Sequence, residues 1–164
     1  AIAKEAVALG CDEINFDYVR VPSDGDLGRV AYSNGTSTRY AVMGSFYSYL
    51  SEKLADDPAW ISLDMFGFVM EKKGTDDMRI GQRLTDAVGV VDYVSPMMYP
   101  SHYPSGHLGL SNPAAFPGAV ITHGMEKGTP YFVDTRAAVR PRPRCRPRPP
   151  QRASCSSPRR PGTG

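Results

Sequence analysis

Two aspartates stand where short apolar runs give way to turns. Asp17 lies in Glu13-Ile14-Asn15-Phe16-Asp17-Tyr18-Val19-Arg20, directly ahead of the turn-forming Val21-Pro22-Ser23-Asp24-Gly25, and Asp64 lies in Trp60-Ile61-Ser62-Leu63-Asp64-Met65-Phe66-Gly67. Acids at the ends of successive strands suggest an enzyme site, where carboxylates serve as general acid, base or nucleophile. Tyr18 and Arg20 offer a hydroxyl and a guanidinium to orient and charge-stabilise an ionised Asp17, which suits a nucleophile or base. Asp64 has Trp60, Phe66 and Phe68 close in sequence, and apolar surroundings favour the protonated carboxyl that a general acid needs. Both residues also have plain structural readings, as acceptors for loop amides or, for Asp17, as a partner of Arg20. Asp92 opens its run instead of closing it, so a structural role is expected there.

A third run, Val90 to Pro100, continues into Ser101-His102-Tyr103-Pro104. Tyr99, His102 and Tyr103 supply rings for stacking on a sugar face and polar tips for its hydroxyls, and together they form a substrate-binding candidate. The structural alternative is a rigid, well-packed loop. Gln82, within Ile80-Gly81-Gln82-Arg83, is a further substrate-contact candidate, and Glu71 is a reserve acid. His102, His107 and His123 are the only histidines. Without a helical HExxH or a third nearby ligand they do not make a zinc site. No metal and no cofactor is expected.

These residues need elements to hold them. Residues 1 to 9 read as a helix with Ile2, Ala6 and Leu9 on one face, and residues 12 to 19 as a strand whose near-continuous apolar character fits burial on both faces. A long loop, Val21 to Asn34, precedes a helix over 37 to 55 that Ser37 or Thr38 can cap, with Tyr40, Met43, Phe46, Tyr47, Leu50 and Leu54 at helical spacing. Strand 60 to 67, helix 79 to 88, strand 90 to 97, helix 115 to 126 and a strand at 130 to 133 complete the series. This alternation implies parallel strands with right-handed crossovers, and the long loops follow the strands, as at the active-site face of a (β/α)8 barrel. An open doubly wound sheet gives the same local pattern, but no strand exit carries its glycine-rich phosphate fingerprint. The expected fold is therefore α/β, a partial TIM barrel of about four βα units.

Composition divides the chain. Residues 1 to 135 hold ten Lys/Arg against 17 Asp/Glu, a net charge of −7, whereas residues 136 to 164 hold nine Arg and no acid. That tail has seven prolines and almost no large apolar side chains, so it cannot offset the entropy of ordering and is expected to be disordered. A nucleic-acid-binding arm, a linker and a frameshifted product are the three origins considered. The abrupt change of composition favours the frameshift, and the lack of interleaved aromatics argues against nucleic acid. The start, Ala1-Ile2-Ala3-Lys4, opens inside a helical pattern and reads as a fragment. There is no run of 18 apolar residues, hence no membrane span. Cys11 is expected to pack as a small apolar group, and no disulfide framework is supported. No oligomeric state is read from the sequence.

The segments FDYVRVPSDG (Phe16 to Gly25), LDMFGF (Leu63 to Phe68), IGQRL (Ile80 to Leu84) and VDYVSPMMYPSHYPSG (Val91 to Gly106), followed by Asn112 to Phe132, resemble a bacterial glycosyl hydrolase domain family of unknown function. The resemblance implies a TIM barrel related to the α-amylase and other glycoside hydrolase barrels, a carbohydrate substrate, and an extracytoplasmic setting. It also implies a tryptophan-containing strand after Val139-Arg140-Pro141, where this chain continues in Arg-Pro repeats. The reading is a glycoside hydrolase that cleaves O-glycosidic bonds of a polysaccharide with Asp17 and Asp64. The alternatives are a noncatalytic carbohydrate-binding barrel and an inactive gene fragment.

Overall fold

The computed structural model describes residues 1–32, 35 and 37–139. Four strands form one parallel sheet in the order β1-β2-β3-β4: Glu13–Phe16, Trp60–Phe66, Tyr93–Met97 and Ala138–Val139. Helix α1 (Ile2–Ala8) precedes β1, and α2 (Arg39–Lys53), α3 (Leu84–Ala87) and α4 (Pro117–Gly128) fill the three crossovers. This is the α/β alternation expected from the sequence. Residues 140–164, including most of the Arg/Pro-rich tail with Cys145 and Cys155, lie outside the described residues.

The register sorts the sheet into two unlike faces. Partnered residues in a parallel ladder point the same way, and successive residues point oppositely. Ile14 and Phe16 therefore align with Ile61, Leu63 and Met65, with Val94 and Pro96, and with Val139, while Glu13 and Asn15 align with Trp60, Ser62 and Asp64 and with Tyr93 and Ser95. The first face is packed by Met43, Tyr47, Leu50 and Leu54 of and just after α2, and by Leu84 and Ala87 of α3, in one core. Each large apolar side chain buried there stabilises by roughly 1.5–3 kcal/mol. The second face is polar in its middle, at Asn15, Ser62, Asp64 and Ser95, with Trp60 and Tyr93 at one end and Phe66 and Met97 at the other. Both faces of β1 are half-buried, but its residues alternate polar and apolar where a near-continuous apolar strand was expected.

Local signals explain most boundaries. Thr38 caps α2, its hydroxyl oxygen accepting from the Ala41 N–H at 3.4 Å. The helix expected from residue 79 begins only at Leu84 because Met78, Arg79 and Gly81 all hold positive φ. At Gly81 a Cβ would meet Met43 at 2.7 Å and the Arg39 carbonyl oxygen at 3.0 Å, so this turn seats tightly on α2. On α1, Ile2 and Leu9 are more than four-fifths exposed, and Ala3 instead packs towards the core. Cys11 is exposed, not packed. Residues Thr129–Phe132 form a 3-10 turn where a strand was expected, and the fourth strand comes later, at Ala138–Val139.

Asp92 stitches the strand starts, as its position suggested. Its carboxylate accepts from the Ile61 N–H and from Arg136 Nε, both at 2.9 Å, and Arg136 leads into β4. Tyr47 does comparable work at the other end. Fully buried, it donates its hydroxyl to the Val19 carbonyl at 3.0 Å. Burial first, and the Asp86 charge second, raise its pKa well above the ordinary value of 10. The fold therefore keeps a proton that the unfolded chain releases. This contribution is fully present below pH 10 and is lost as pH rises from there towards the folded pKa, by about 1.4 kcal/mol per pH unit. Tyr103, raised mainly by burial, adds a second phenol of the same kind. We predict that Tyr47→Phe costs about 1 kcal/mol or less at pH 7, since Val19 still accepts from Gln82 at 3.1 Å. Melting temperatures from pH 8 to 11.5 should fall less steeply above pH 10 in the variant; an identical alkaline slope would contradict this account.

Candidate active site

The polar face of the sheet leads to the two aspartates. Phe16 of β1 is paired with Leu63 of β2, so Asp17 and Asp64 are the next residues along these two neighbouring segments. They differ sharply in setting. Asp17 lies one residue past the end of β1 and is exposed, its Oδ1 accepting from the Tyr18 N–H at 2.6 Å. Tyr18 takes φ 55 there, which ends the strand. Asp64 lies within β2, opposite Ser95, and is only 2% exposed. It was expected at the strand exit, but Met65 and Phe66 continue the ladder beyond it.

Asn15 holds this arrangement together. Its amide nitrogen donates to Ser62 Oγ at 2.8 Å and to Asp64 Oδ1 at 3.1 Å. One side chain thereby fixes the Asp64 carboxyl relative to β1, the strand that delivers Asp17. A sequence signal for Asn15 existed: Glu13, Asn15 and Asp17 recur with the strand period of two, as do Ser62 and Asp64.

The expected substrate-binding residues separate into two groups. Tyr18 is 57% exposed, with the Arg20 guanidinium 4.3 Å from its ring centre. Arg20 donates to Ser23 Oγ at 2.7 Å and forms no ion pair with Asp17. Tyr99 is half-buried and His102 exposed, their rings edge to face at 5.2 Å. These four remain available at the strand exits.

Gln82 and Tyr103 do not. Gln82 is fully buried; its Oε1 accepts from the Phe66 N–H at 2.9 Å and its Nε2 donates to the Val19 carbonyl at 3.1 Å. Both ends of the amide are used in clamping the exit of β1 to the exit of β2, so Gln82 braces the site from behind. Tyr103 is 5% exposed, stacked at 4.3 Å on Phe68 and at 4.7 Å on His107. Its ring is packed inside the loop.

The structure also gathers a cluster that sequence reasoning missed. Glu71, after the 3-10 turn Gly67–Met70, lies 3.5 Å from His107 Nε2 and 3.7 Å from His123 Nε2. The Tyr103 hydroxyl is buried in the same place, and the Glu71 charge adds to burial in raising its pKa. Glu71, expected as a reserve acid, thus joins the β3 exit loop to α4. Among the described residues no group of three His, Cys, Asp or Glu side chains has the geometry to hold a metal ion. Among the same residues no helix is long and apolar enough to cross a membrane.

A parallel sheet with helices on its apolar face, one aspartate just past β1 and another within the neighbouring β2 is an arrangement that glycoside hydrolysis can use. The profile of the family described as "Putative glycosyl hydrolase domain" matches residues 1–143. No curated protein and no solved structure matches the chain. With the profile covering most of its length, the chain belongs to the putative glycosyl hydrolase domain family.

Proposed function

We propose that this domain hydrolyses O-glycosidic bonds of a polysaccharide by a two-carboxylate mechanism, with Asp17 as nucleophile or base and Asp64 as general acid. The β1–β2 register carries this reading, since Asp17 and Asp64 directly follow the Phe16–Leu63 pair. Adjacent parallel strands lie about 4.8 Å apart, which brings the two residues near one another, as two carboxylates flanking one scissile bond require. The exposed Asp17 is free to meet a sugar, with its Oδ1 oriented by the Tyr18 N–H. Asp64, oriented by Asn15, delivers a proton to the departing oxygen. Tyr18, Arg20, Tyr99 and His102 line the approach and supply ring faces and donors for sugar hydroxyls.

The same reading makes the four-stranded sheet part of a (β/α)8 barrel whose interior is the polar face, with its exit loops at the catalytic end. The test is reducing-end release from a panel of polysaccharides by the full-length protein. Asp17→Asn and Asp64→Asn are expected to lose most of the rate while keeping the fold. Glycan binding that survives both substitutions, with no turnover by the wild type, would instead indicate a noncatalytic carbohydrate-binding domain.

A further inference from the structure

The loops around Asp17 enclose a cavity that the acid pair does not use. It measures about 300 Å3 and is bounded by Pro22 and Ser23 from the loop after β1, by Tyr32 and Arg39 ahead of and at the start of α2, and by Arg79 and Ile80 from the loop after β2. The two exit loops are tied to each other there, the Val21 N–H donating to the Ile80 carbonyl at 3.0 Å. The cavity therefore opens in the segment that Asp17 begins, at the same end of the sheet.

Its lining carries two guanidinium groups and no carboxylate. Among the described residues Lys4, Lys72, Arg83 and Arg136 each pair with a carboxylate, and the seven other Lys and Arg side chains do not. Arg39 and Arg79 are two of those seven, and both line this one cavity. A third guanidinium, Arg20, reaches its wall through Ser23 Oγ at 2.7 Å. Two carboxylates lie nearby and are otherwise engaged. Asp24 accepts from the Ser23 hydroxyl at 2.9 Å, and Asp77 accepts from the Arg79 N–H at 2.9 Å while lining the adjoining cavity with Arg39 and Tyr32.

A guanidinium fork matches an oxyanion in two parallel hydrogen bonds, and a half-exposed tyrosine ring matches a sugar face. We infer that this cavity is a subsite for an acidic sugar, one carrying a carboxylate or a sulfate ester, held by Arg39 and Arg79 against Tyr32. The inference rests on the hydrolase reading for its place beside the acid pair and narrows the substrate to an anionic polysaccharide.

Calorimetric titration of the full-length protein with three probes tests it: trigalacturonate, its methyl ester, and a sulfated galactan oligosaccharide. At least one anionic probe is expected to bind about tenfold or more tighter than the neutral ester, and which one binds identifies the acidic group. Arg39→Gln/Arg79→Gln should erase that preference and leave the affinity for the ester unchanged. The nine arginines of residues 136 to 164 are present in both proteins, so the difference between them reports the cavity alone. Equal affinity for all three probes, or a preference that survives the double substitution, would overturn the subsite. Because binding is the readout, the two readings fail separately. An anion preference without turnover sinks the hydrolase and leaves the subsite, whereas turnover indifferent to both arginines does the reverse.

Discussion

Asp64→Asn is expected to slow hydrolysis of a natural glycosidic linkage by about 10²–10⁴-fold, the range that a positioned proton donor supplies. The amide keeps the shape of the carboxyl and leaves an acceptor oxygen for Asn15, whose nitrogen lies 3.1 Å from Oδ1 in the native protein. The loss should therefore be chemical and not structural. A nitrophenyl glycoside, whose leaving group departs without protonation, separates the two: the variant should lose far less rate on it than on the natural substrate. An equal loss on both would mean that Asp64 is no general acid. Since Asp64 is 2% exposed, a melting temperature near that of the wild type is the necessary companion result.

Gly67→Ala is expected to have the largest effect on stability. Gly67 is buried at the exit of β2, and an added Cβ would meet the Met97 carbonyl oxygen at 2.6 Å and the Met98 Cα at 2.9 Å. These are backbone atoms of the β3 exit, so no rotamer change relieves the clash. Overpacking of this kind costs about 3 kcal/mol, which in a domain of this size lowers the melting temperature by on the order of 10 °C. The exits of β2 and β3 must separate to admit the methyl group, which also displaces Tyr99. Thermal unfolding of Gly67→Ala beside Gly89→Ala, whose Cβ would meet nothing within 4 Å, is the check. Equal melting temperatures would show that the two exits are not packed as described.

The elements that chain-local physics controls were legible in the sequence. The α2 periodicity and its Thr38 cap and the order of the first three strands follow from short-range spacing, whereas the strand expected over 12 to 19 stops at Phe16 because Tyr18 takes a positive φ. What was not legible depends on long-range packing. Nothing near Gln82 in sequence announces that Val19 and Phe66 will claim both ends of its amide. Tyr103 sits in a polar, proline-rich loop that reads as a rim, yet Phe68 and His107 draw its ring inward. The Glu71 cluster joins three segments that only the fold brings together. The late position of β4 has a similar cause, since Ala138 and Val139 gain their place by pairing with Tyr93 and Val94. By contrast, the polar alternation in β1 and β2 was present in the sequence and was masked by the apolar residues between.

In the proposed mechanism Asp17 acts at the anomeric carbon. The most direct measurement is turnover of a nitrophenyl glycoside by Asp17→Gly in the presence and absence of sodium azide. Because Asp17 is exposed and lies beyond the end of β1, the substitution should leave the sheet intact. We predict a rate at least about 10²-fold below wild type without azide, a substantial recovery with it, and a glycosyl azide as product. Wild-type turnover by Asp17→Gly without azide would contradict the central claim.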